Sequence, residues 1–423
     1  MKKLTLFTEK KKIRERTFEQ ELKDAEQGNV RAQCIVAECY YDGDEVARDE
    51  KKAIQWWLKA AQQEDAEAQY RLGDCYYSHH GVKEDEEKAF QWWLKAAQQG
   101  HAEAQYWVSI CYSQGTGVEE NEKEEFQWLL KAANQGHKEA QCEIGNSYYW
   151  GTGVDYDDEK AFQWWLKAAN QGYIVAQSEI SNCYYNGIGV EENKEKAFQW
   201  ALKAVDPKET REYGLAFPLI PAAEIIAKCY YYGTGVKENK EEAFQWALKA
   251  TNWRSAEEAP SLVAKCYYYG HGVKENKEEA FQWALKGAEK GNAEAQYIVA
   301  ECYYNGYGTN ENKSEGYKWY LKAAEKQYIP AVNKVAEIDS GSFSGKVSGF
   351  LKKVGKQIEN QIEKQNAIKN DAYSEGQRLS DNELIRKYKN TSGARKYGFA
   401  KVLEERGFLK KNSEGILVPT TKF

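Results

Sequence analysis

Apolar residues recur along most of the chain at the spacing of an α-helix. In AEAQYRLGDCYY, residues 66–77, the side chains of Ala68, Leu72 and Cys75 share one face, since positions three and four apart are neighbours on a helix. The segment EEKAFQWWLKAAQQG has a second apolar face, carried by Ala89, Phe90, Trp93, Leu94 and Ala97. The pattern therefore predicts two amphipathic helices, which we call the first and second helix of a pair.

Polar residues and glycines mark the ends of these helices. Each second helix follows an Asp or Asn, whose side chain can bond the free amides of a first turn. These residues are Asp49, Asp85, Asn121, Asp157, Asn193, Asn239, Asn276 and Asn312. Most first helices end at a glycine, which accepts the left-handed conformation that closes a helix. The closing glycines are Gly115, Gly151, Gly187, Gly233, Gly270 and Gly306.

The helix pair is the unit of an internal repeat. Its reference position, near the end of the first helix, recurs at steps of 36, 36, 36, 36, 46, 37 and 36 residues. The residues there are Cys39, Cys75, Cys111, Ser147, Cys183, Cys229, Cys266 and Cys302. Such a period predicts a stacked array in which each unit covers the apolar face of the next. After an N-terminal extension (1–13), the array spans residues 14–338, with a lone second helix at its start and a lone first helix at its end.

The repeats resemble those of the Sel1-like repeat family, 36-residue relatives of tetratricopeptide repeats. The matching residues stand here as AEAQYRLGDCYYSHHGV and KAFQWWLKAAQQG, and the pattern covers about three quarters of the chain. The resemblance implies an all-α, right-handed solenoid of about eight helix pairs, whose first helices line the concave side. It also implies an adaptor that gathers partners, a role the fold itself does not specify further.

The cysteines depart from part of that family. Its secreted members carry two cysteines per repeat that bridge the paired helices, whereas most repeats here carry one. Equivalent cysteines of neighbouring repeats are expected about one repeat apart, beyond the Cα–Cα limit of about 7 Å for a disulfide. We therefore expect buried, reduced thiols that serve packing, Cys34 and Cys142 included. Reduced thiols in turn favour a cytoplasmic location.

Composition excludes several other classes. The chain has 423 residues, 42% of them hydrophobic, and only 6 prolines, which argues against disorder. No run approaches the roughly 18 apolar residues that a membrane span needs. The N-terminus lacks the apolar stretch of roughly 7–15 residues found in signal peptides. Charge is uneven, with a balance of −14 for residues 1–339 and +8 for residues 340–423.

Residues suited to catalysis or metal binding are sparse. His79 and His80 are adjacent, but no second pair and no cluster of cysteine or aspartate joins them. His101 and His137 stand where first helices begin. The G-x-G of the loops recurs in nearly every repeat, which is typical of a turn and not of a nucleotide-binding loop. The sequence therefore predicts no enzyme activity, no metal and no cofactor.

One face of the first helices varies between copies, and binding is one reason for such variation. The positions four before, one before and three after the reference position share this face. Aromatic residues flanked by polar ones are typical of binding hot spots, and a solvated face with some packing between repeats is the alternative. The predicted groove for a protein or peptide partner is centred on Trp107, Trp150, Tyr232 and Tyr269. It consists of Arg71, Asp74, Trp107, Ile110, Glu143, Asn146, Trp150, Asn182, Asn186, Lys228, Tyr232, Lys265, Tyr269, Glu301 and Asn305.

Two features interrupt the regularity of the array. The second aromatic position of QWWLKAA is bulky in early repeats and small in late ones, which indicates either a change of packing within the helix pairs or an apolar outer patch on the N-terminal half. Its residues are Trp57, Trp93, Leu129, Trp165, Ala201, Ala247, Ala284 and Tyr320. An insertion at residues 207–221 either bends the array or adds a contact loop.

The C-terminal end predicts a small helical module. Residues 339–345 are typical of a Gly/Ser linker, and residues 346–370 of a basic amphipathic helix. Such a helix caps the solenoid, docks on a partner or lies on an anionic membrane. Residues 371–411 then predict a helical hairpin, similar to short tails of other bacterial proteins, with a capping box of Ser380 and Glu383. Residues 412–423 form a tail.

The sequence thus favours a non-enzymatic scaffold or adaptor that binds a protein or peptide on the concave face, with no small-molecule substrate. The alternative is a tether whose basic C-terminal helices contact a membrane surface or nucleic acid.

Overall fold

The computed structural model of the chain describes residues 17–205, 220–251, 256, 258–340, 367, 370–381, 384, 387, 393–406, 409–411 and 417–419. The first helices are α2 (Val30–Asp42), α4 (Ala66–Tyr77), α6 (Ala102–Gln114), α8 (Lys138–Trp150), α10 (Ile174–Asn186), α12 (Ile220–Tyr232), α14 (Ala259–Tyr269), α16 (Ala293–Asn305) and α18 (Ile329–Ser340). The second helices are α1 (Phe18–Glu26), α3 (Glu50–Gln62), α5 (Glu86–Gln98), α7 (Glu122–Asn134), α9 (Asp158–Asn170), α11 (Lys194–Ala204), α13 (Lys240–Thr251), α15 (Lys277–Glu289) and α17 (Lys313–Glu325).

Two compact units divide the chain, Met1–Gln171 with α1 to α9, and Gly172–Phe423 with α10 onward. Within each unit, every helix of the array packs against the next array helix along the chain. The array begins with the lone second helix α1 and ends with the lone first helix α18, as predicted. The predicted all-α solenoid of helix pairs is confirmed.

The predicted helix caps are confirmed. The Asp85 carboxylate accepts from the backbone N–H of Lys88 at 3.0 Å, and the other seven predicted Asp and Asn residues accept in the same way. Gly115 closes α6 with a φ of 70°, in the left-handed region where glycine is not strained.

The second glycine of each G-x-G loop has another cause. A Cβ at Gly117 would overlap the carbonyl oxygen of Glu86, at the start of the preceding second helix. Gly153, Gly235, Gly272 and Gly308 meet the equivalent carbonyl at the start of the second helix that precedes each of them. The loop therefore approaches its neighbour too closely for any side chain, which explains why G-x-G recurs as a turn.

The thiols belong to the core. All nine cysteines are free, Cys34 half-buried and the rest buried. Burial raises the pKa of Cys75 and of Cys302 to about 12, so these thiols stay neutral. Their predicted role in packing is confirmed.

Buried glutamines connect consecutive repeats in the first unit. Gln105 on α6 donates to the carbonyl of Ala97 on α5 at 3.1 Å, and its oxygen accepts from Gln135, just after α7, at 2.8 Å. One side chain thus joins its own helix pair to the pair before it. The same two bonds recur with Gln33 and Gln63, Gln69 and Gln99, and Gln141 and Gln171. We call these four pairs the glutamine ladder.

The position of these glutamines, six before the reference residue, also follows the repeat length. Ala223 and Pro260 replace glutamine in the two repeats that follow the irregular steps of 46 and 37 residues. Gln296 returns with the next step of 36, and it again donates to the preceding second helix, at the carbonyl of Ala288, 3.3 Å away. The glutamine therefore accompanies regular stacking.

Side-chain sizes on paired helices complement each other. Trp93 on α5 lies where a Cβ at Gly73 would overlap its indole ring, and Trp165 has the same relation to Gly145. Both tryptophans are almost fully buried, as are the other residues at this position, Trp57, Leu129, Ala201, Ala247, Ala284 and Tyr320. Packing explains the variation, and the alternative of an apolar outer patch is wrong.

The C-terminal end contains a β-hairpin that the sequence analysis did not predict. Residues 370–378 are helical, α19 covers Gly393–Glu405, and β1 (Leu409–Lys411) pairs antiparallel with β2 (Leu417–Pro419). Arg406 donates to the carbonyl of Leu379 at 2.9 Å and to Asp381 at 2.8 Å, which ties α19 to the preceding segment. The core consists of Ala372, Leu384, Phe399, Ala400, Val402, Leu403 and Leu409.

Some predicted segments lie outside the described residues. They are nearly all of the 207–221 insertion, residues 341–345 of the linker, and the 346–370 amphipathic helix apart from residues 367 and 370. The first two residues of the predicted linker belong to α18. None of the helices in the described part of the chain has the length and apolar character that a bilayer crossing requires.

Substitution of Gln105 by Met tests the glutamine ladder, because it keeps the side-chain length and removes both bonds. The Ala97 carbonyl and the Gln135 amide lose their buried partner, so the free energy of unfolding should fall by about 1–3 kcal/mol. Urea denaturation followed by circular dichroism measures this. Gln91→Met, at an exposed site on α5, is the matched control. Equal effects of the two substitutions would contradict the role of the ladder.

Gly73→Ala tests the complementarity of sizes. The added methyl displaces the Trp93 indole, so we expect a loss of about 1–3 kcal/mol in the free energy of unfolding. In a Trp93→Leu background the overlap is absent, and the same change should stabilise by roughly 0.5–1 kcal/mol, since alanine is the better helix former. A double-mutant cycle measures the coupling. Additive effects would show that the two residues do not constrain each other.

Candidate functional site

The groove predicted from the variable face divides into residues that pack within the chain and residues that stay accessible. In the first unit, Asp74 accepts from Trp93 Nε1 at 3.1 Å, and Asn146 accepts from Trp165 Nε1 at 3.1 Å. A buried indole N–H needs a hydrogen-bond acceptor. A Trp on the second helix therefore requires an acceptor side chain, Asp or Asn, just before the reference position on the first helix. In the repeat between, the two positions are both apolar, Ile110 and Leu129.

Other predicted residues of the first unit also have partners. Arg71 pairs with Glu67 at 2.8 Å, and Glu143 accepts from Asn146 at 3.0 Å. Trp107 is half-buried and stacks on Trp93 with ring centroids 5.0 Å apart. Trp107 therefore takes part in helix packing, and its place at the centre of a groove stays a prediction.

Trp150 is the accessible aromatic residue of this face in the first unit. It is 74% exposed and contacts the neighbouring Tyr149 edge-on, with centroids 4.8 Å apart. It stands at the last position of α8, where the first helix gives way to its loop. An exposed indole at this point is available to a partner.

In the second unit, four more predicted residues bond locally. Glu301 accepts from the Tyr320 hydroxyl at 2.5 Å, the same relation that Asp74 has with Trp93. Asn305 donates to the Glu301 carboxylate at 3.1 Å, and Asn186 donates to Asn182 at 2.6 Å. Asn186 and Asn305 remain exposed at the ends of their helices.

The remaining predicted residues, Lys228, Tyr232, Lys265 and Tyr269, lie along α12 and α14, and we call them the tyrosine–lysine face. Lys265 donates to the Tyr232 hydroxyl at 3.3 Å and pairs with Glu294 at 2.6 Å. Tyr232 and Tyr269 are 50% and 48% exposed. The structure thus brings Tyr232 and Lys265 together from two consecutive first helices.

Ion pairs and aromatic stacking hold the side chains of the tyrosine–lysine face in place. Burial opposes the charge of Lys265, but the hydrogen bond and charge of Glu294 outweigh it, so the pKa of Lys265 is raised. Tyr269 stacks on His271 with centroids 5.5 Å apart. Burial and the charges of Lys240 and Lys265 lower the pKa of His271, so its ring is neutral at pH 7 and bonds the Tyr231 hydroxyl at 2.7 Å.

A small cleft adjoins the tyrosine–lysine face. Its walls come from α12, the start of α14 and the start of α16, and its volume is about 60 Å³. That volume holds a few water molecules or the end of one side chain, whereas small-molecule sites measure roughly 300–1,000 Å³. Charged or polar residues of the lining include Glu224, Lys228, Tyr232, Glu258, Ser261 and Glu294.

Sequence reasoning missed most of this lining. Glu294 stands at a position that also holds Glu67 and Glu103, and agreement between copies suggested a structural role. Glu224 and Glu258 lie in the irregular repeats, where the alignment of copies is least informative. Variation at a helix face therefore located Lys228 and Tyr232 but not the carboxylates beside them.

The histidines have structural partners. His101 Nδ1 accepts from the backbone N–H of Ala104 at 3.1 Å, while Nε2 lies 3.1 Å from Glu67 Oε2 and so donates to it. The equivalent His137 does the same with Ala140 and Glu103. His79 Nε2 is 2.7 Å from Glu84. Among the residues that the structure describes, no three His, Cys, Asp or Glu side chains are grouped as a metal ion would require.

Comparison with known families gives a match over most of the repeat array. A family model described as Sel1 repeat matches residues 30–65, 66–101, 102–137, 138–173, 174–206, 220–252, 261–292 and 293–328, more than half of the chain. No protein among curated sequences matched the chain.

A solved structure gives the same picture of the fold. The chain is similar to a protective antigen present in uropathogenic Escherichia coli strains that displays an SLR fold, with 26% identity, 92% of this chain and 79% of that chain covered, and a TM-score of 0.59. A Sel1 repeat protein from Oxalobacter formigenes is 28% identical, with 76% of this chain and 89% of that chain covered and a TM-score of 0.48.

Asp74→Asn tests the bond between the paired helices. Burial, partly offset by its hydrogen bonds, raises the pKa of Asp74 from 3.8 to about 6. The folded chain therefore binds the carboxyl proton of Asp74 more tightly than the unfolded chain does. The free energy of unfolding should accordingly rise as pH falls from about 7 to about 4. Asn keeps the acceptor for Trp93, as Asn146 does for Trp165, so the variant should be more stable by about 1–3 kcal/mol at neutral pH.

Urea denaturation at about pH 7.5 and about pH 4.5 measures the effect. Asp85→Asn is the control, because hydrogen bonds from Lys88 lower the pKa of Asp85 and its effect should have the opposite sign. Equal stability of the Asp74 variant and the natural chain at both pH values would contradict the account.

Proposed function

The chain belongs to the Sel1 repeat family, whose members generally act as protein–protein interaction scaffolds, and we propose that it is a non-enzymatic scaffold of this kind. In this proposal a protein or peptide partner binds at the exposed C-terminal ends of the first helices. The resemblance to other repeat solenoids implies that these helices line the concave side, and the proposal adopts that arrangement.

The proposal is supported by exposed aromatic side chains that recur at one position of the repeat. Of the seven exposed large hydrophobic residues in the described part of the chain, three occupy the same repeat position, three residues after the reference position: Trp150, Tyr232 and Tyr269. Packing accounts for the buried positions of the repeat but leaves these three side chains in water. Exposed Trp and Tyr beside charged groups are the residues that contribute most to binding in protein interfaces.

The size of the cleft favours the binding of a macromolecule and argues against the turnover of a small substrate. Its volume of about 60 Å³ is well below that of small-molecule sites. The groups around it are engaged with each other, as in the ion pair of Lys265 with Glu294. We infer that the surface serves recognition.

The tether alternative depends on the basic C-terminal helices, and the first of them, segment 346–370, lies almost wholly outside the described residues. No observation on the described residues favours it. It remains the competing result of the experiment below.

Alanine substitutions test the proposal. Trp150→Ala in one variant and Tyr232→Ala with Tyr269→Ala in another should lower partner recovery at least tenfold, the loss of about 1.4 kcal/mol or more expected for hot-spot residues. The measurement is affinity capture with the full-length chain from a lysate of its native source, quantified by mass spectrometry. Stability should change little, because the side chain of Trp150 is 74% exposed and those of Tyr232 and Tyr269 are 50% and 48% exposed.

The control is Leu202→Ala, which removes an exposed apolar side chain from the second helix α11. Unchanged recovery by both aromatic variants would refute the proposal. If replacement of Lys352, Lys353 and Lys356 by Gln instead abolished capture, the tether would be the function.

A further inference from the structure

We propose that the cleft beside the tyrosine–lysine face accepts the basic side chain, Arg or Lys, of the bound protein partner. The inference rests on the proposed function and adds the chemistry of the partner residue. The aliphatic part of that side chain would pack on the Tyr232 ring, and its cationic end would meet the carboxylates of Glu224, Glu258 and Glu294.

The size of the cleft favours a single side-chain end. A volume of about 60 Å³ exceeds one water molecule and is far below a small-molecule site. The cleft opens beside Tyr232, which is 50% exposed. A long side chain with an apolar stem and a charged end fits a small polar cleft with an aromatic rim.

The charges of the cleft favour a cation. Lys228 and Lys265 are each already paired, with Glu258 and with Glu294. Among the described residues no lysine forms an ion pair with Glu224, and its Oε1 accepts from the backbone N–H groups of Glu258 and Ala259 at 3.0 and 2.9 Å. Three carboxylates of the described residues thus face two lysines, and an incoming anion would have to separate an existing ion pair.

The exposure of the paired side chains also favours a cation. The side chain of Glu258 is 48% exposed, whereas that of its partner Lys228 is 23% exposed, so the carboxylate is the more accessible member of the pair. The bonds described above use Oε1 of Glu224 and Oε1 of Glu294, which leaves the second oxygen of each as an acceptor. Burial raises the pKa of Glu224, which a nearby cation would counteract.

A random twelve-residue peptide library displayed on phage, selected on the full-length protein, tests the inference. Peptides that depend on Tyr232 should share an Arg or Lys at one position. Glu258→Gln and Glu224→Gln should each weaken these peptides about tenfold, the scale of one charge-assisted hydrogen bond. Glu275→Gln is the matched control, since Glu275 is exposed and also pairs with a lysine, Lys277, outside the cleft.

A second comparison separates the cleft from general charge effects. When the shared Arg or Lys of a selected peptide is changed to Gln, the peptide should lose affinity and become insensitive to Glu258→Gln. The inference is overturned if the Tyr232-dependent peptides share an acidic or apolar residue, or bind Glu258→Gln as tightly as the natural chain. In that case the proposed function still stands. If the selected peptides bound the Trp150→Ala and Tyr232→Ala variants as tightly as the natural chain, that result would count against the proposed function itself.

Discussion

A buried glutamine that bonds two neighbouring helix pairs is the interaction on which regular stacking in this protein depends. One helix pair cannot cover its own apolar face, so each repeat is stable only against the next. Gln105 satisfies a carbonyl of the previous repeat and the amide of Gln135 at once, which fixes the spacing as well as the contact. Where Ala223 and Pro260 replace this glutamine, the repeat length departs from 36 residues. The tyrosine–lysine face and its cleft lie in that irregular part of the chain.

The same requirement for buried partners explains much of the variation between copies. A second helix that carries Trp93 needs an acceptor, which Asp74 supplies, and it needs space, which Gly73 supplies. A residue that looks variable in the sequence is therefore often one half of a matched pair. What remains after these pairs are assigned is a small set of exposed aromatic side chains at one repeat position. We propose that this position binds partners, because packing within the chain gives no reason for these aromatic side chains to face water.

The sequence predicted the parts of the structure that depend on local patterns. Apolar spacing, Asp and Asn caps and closing glycines are encoded within one helix, so the helix pairs and their limits followed directly. Asp74 and Trp107 of the predicted groove also contact a second helix, and helix periodicity cannot distinguish that contact from solvent. The carboxylates of Glu224 and Glu258 come together only through the packing of α12 against the start of α14. The β-hairpin after α19 is too short to give an alternating pattern that stands out.

Hydrogen–deuterium exchange of the full-length protein with and without its captured partner is the most direct test of the central claim, that partners bind at the exposed ends of the first helices. Binding at these ends should slow exchange within 220–232 and 259–269, the helices that carry Tyr232 and Tyr269. Protection confined to the second helices, or to residues 340–423, would contradict it.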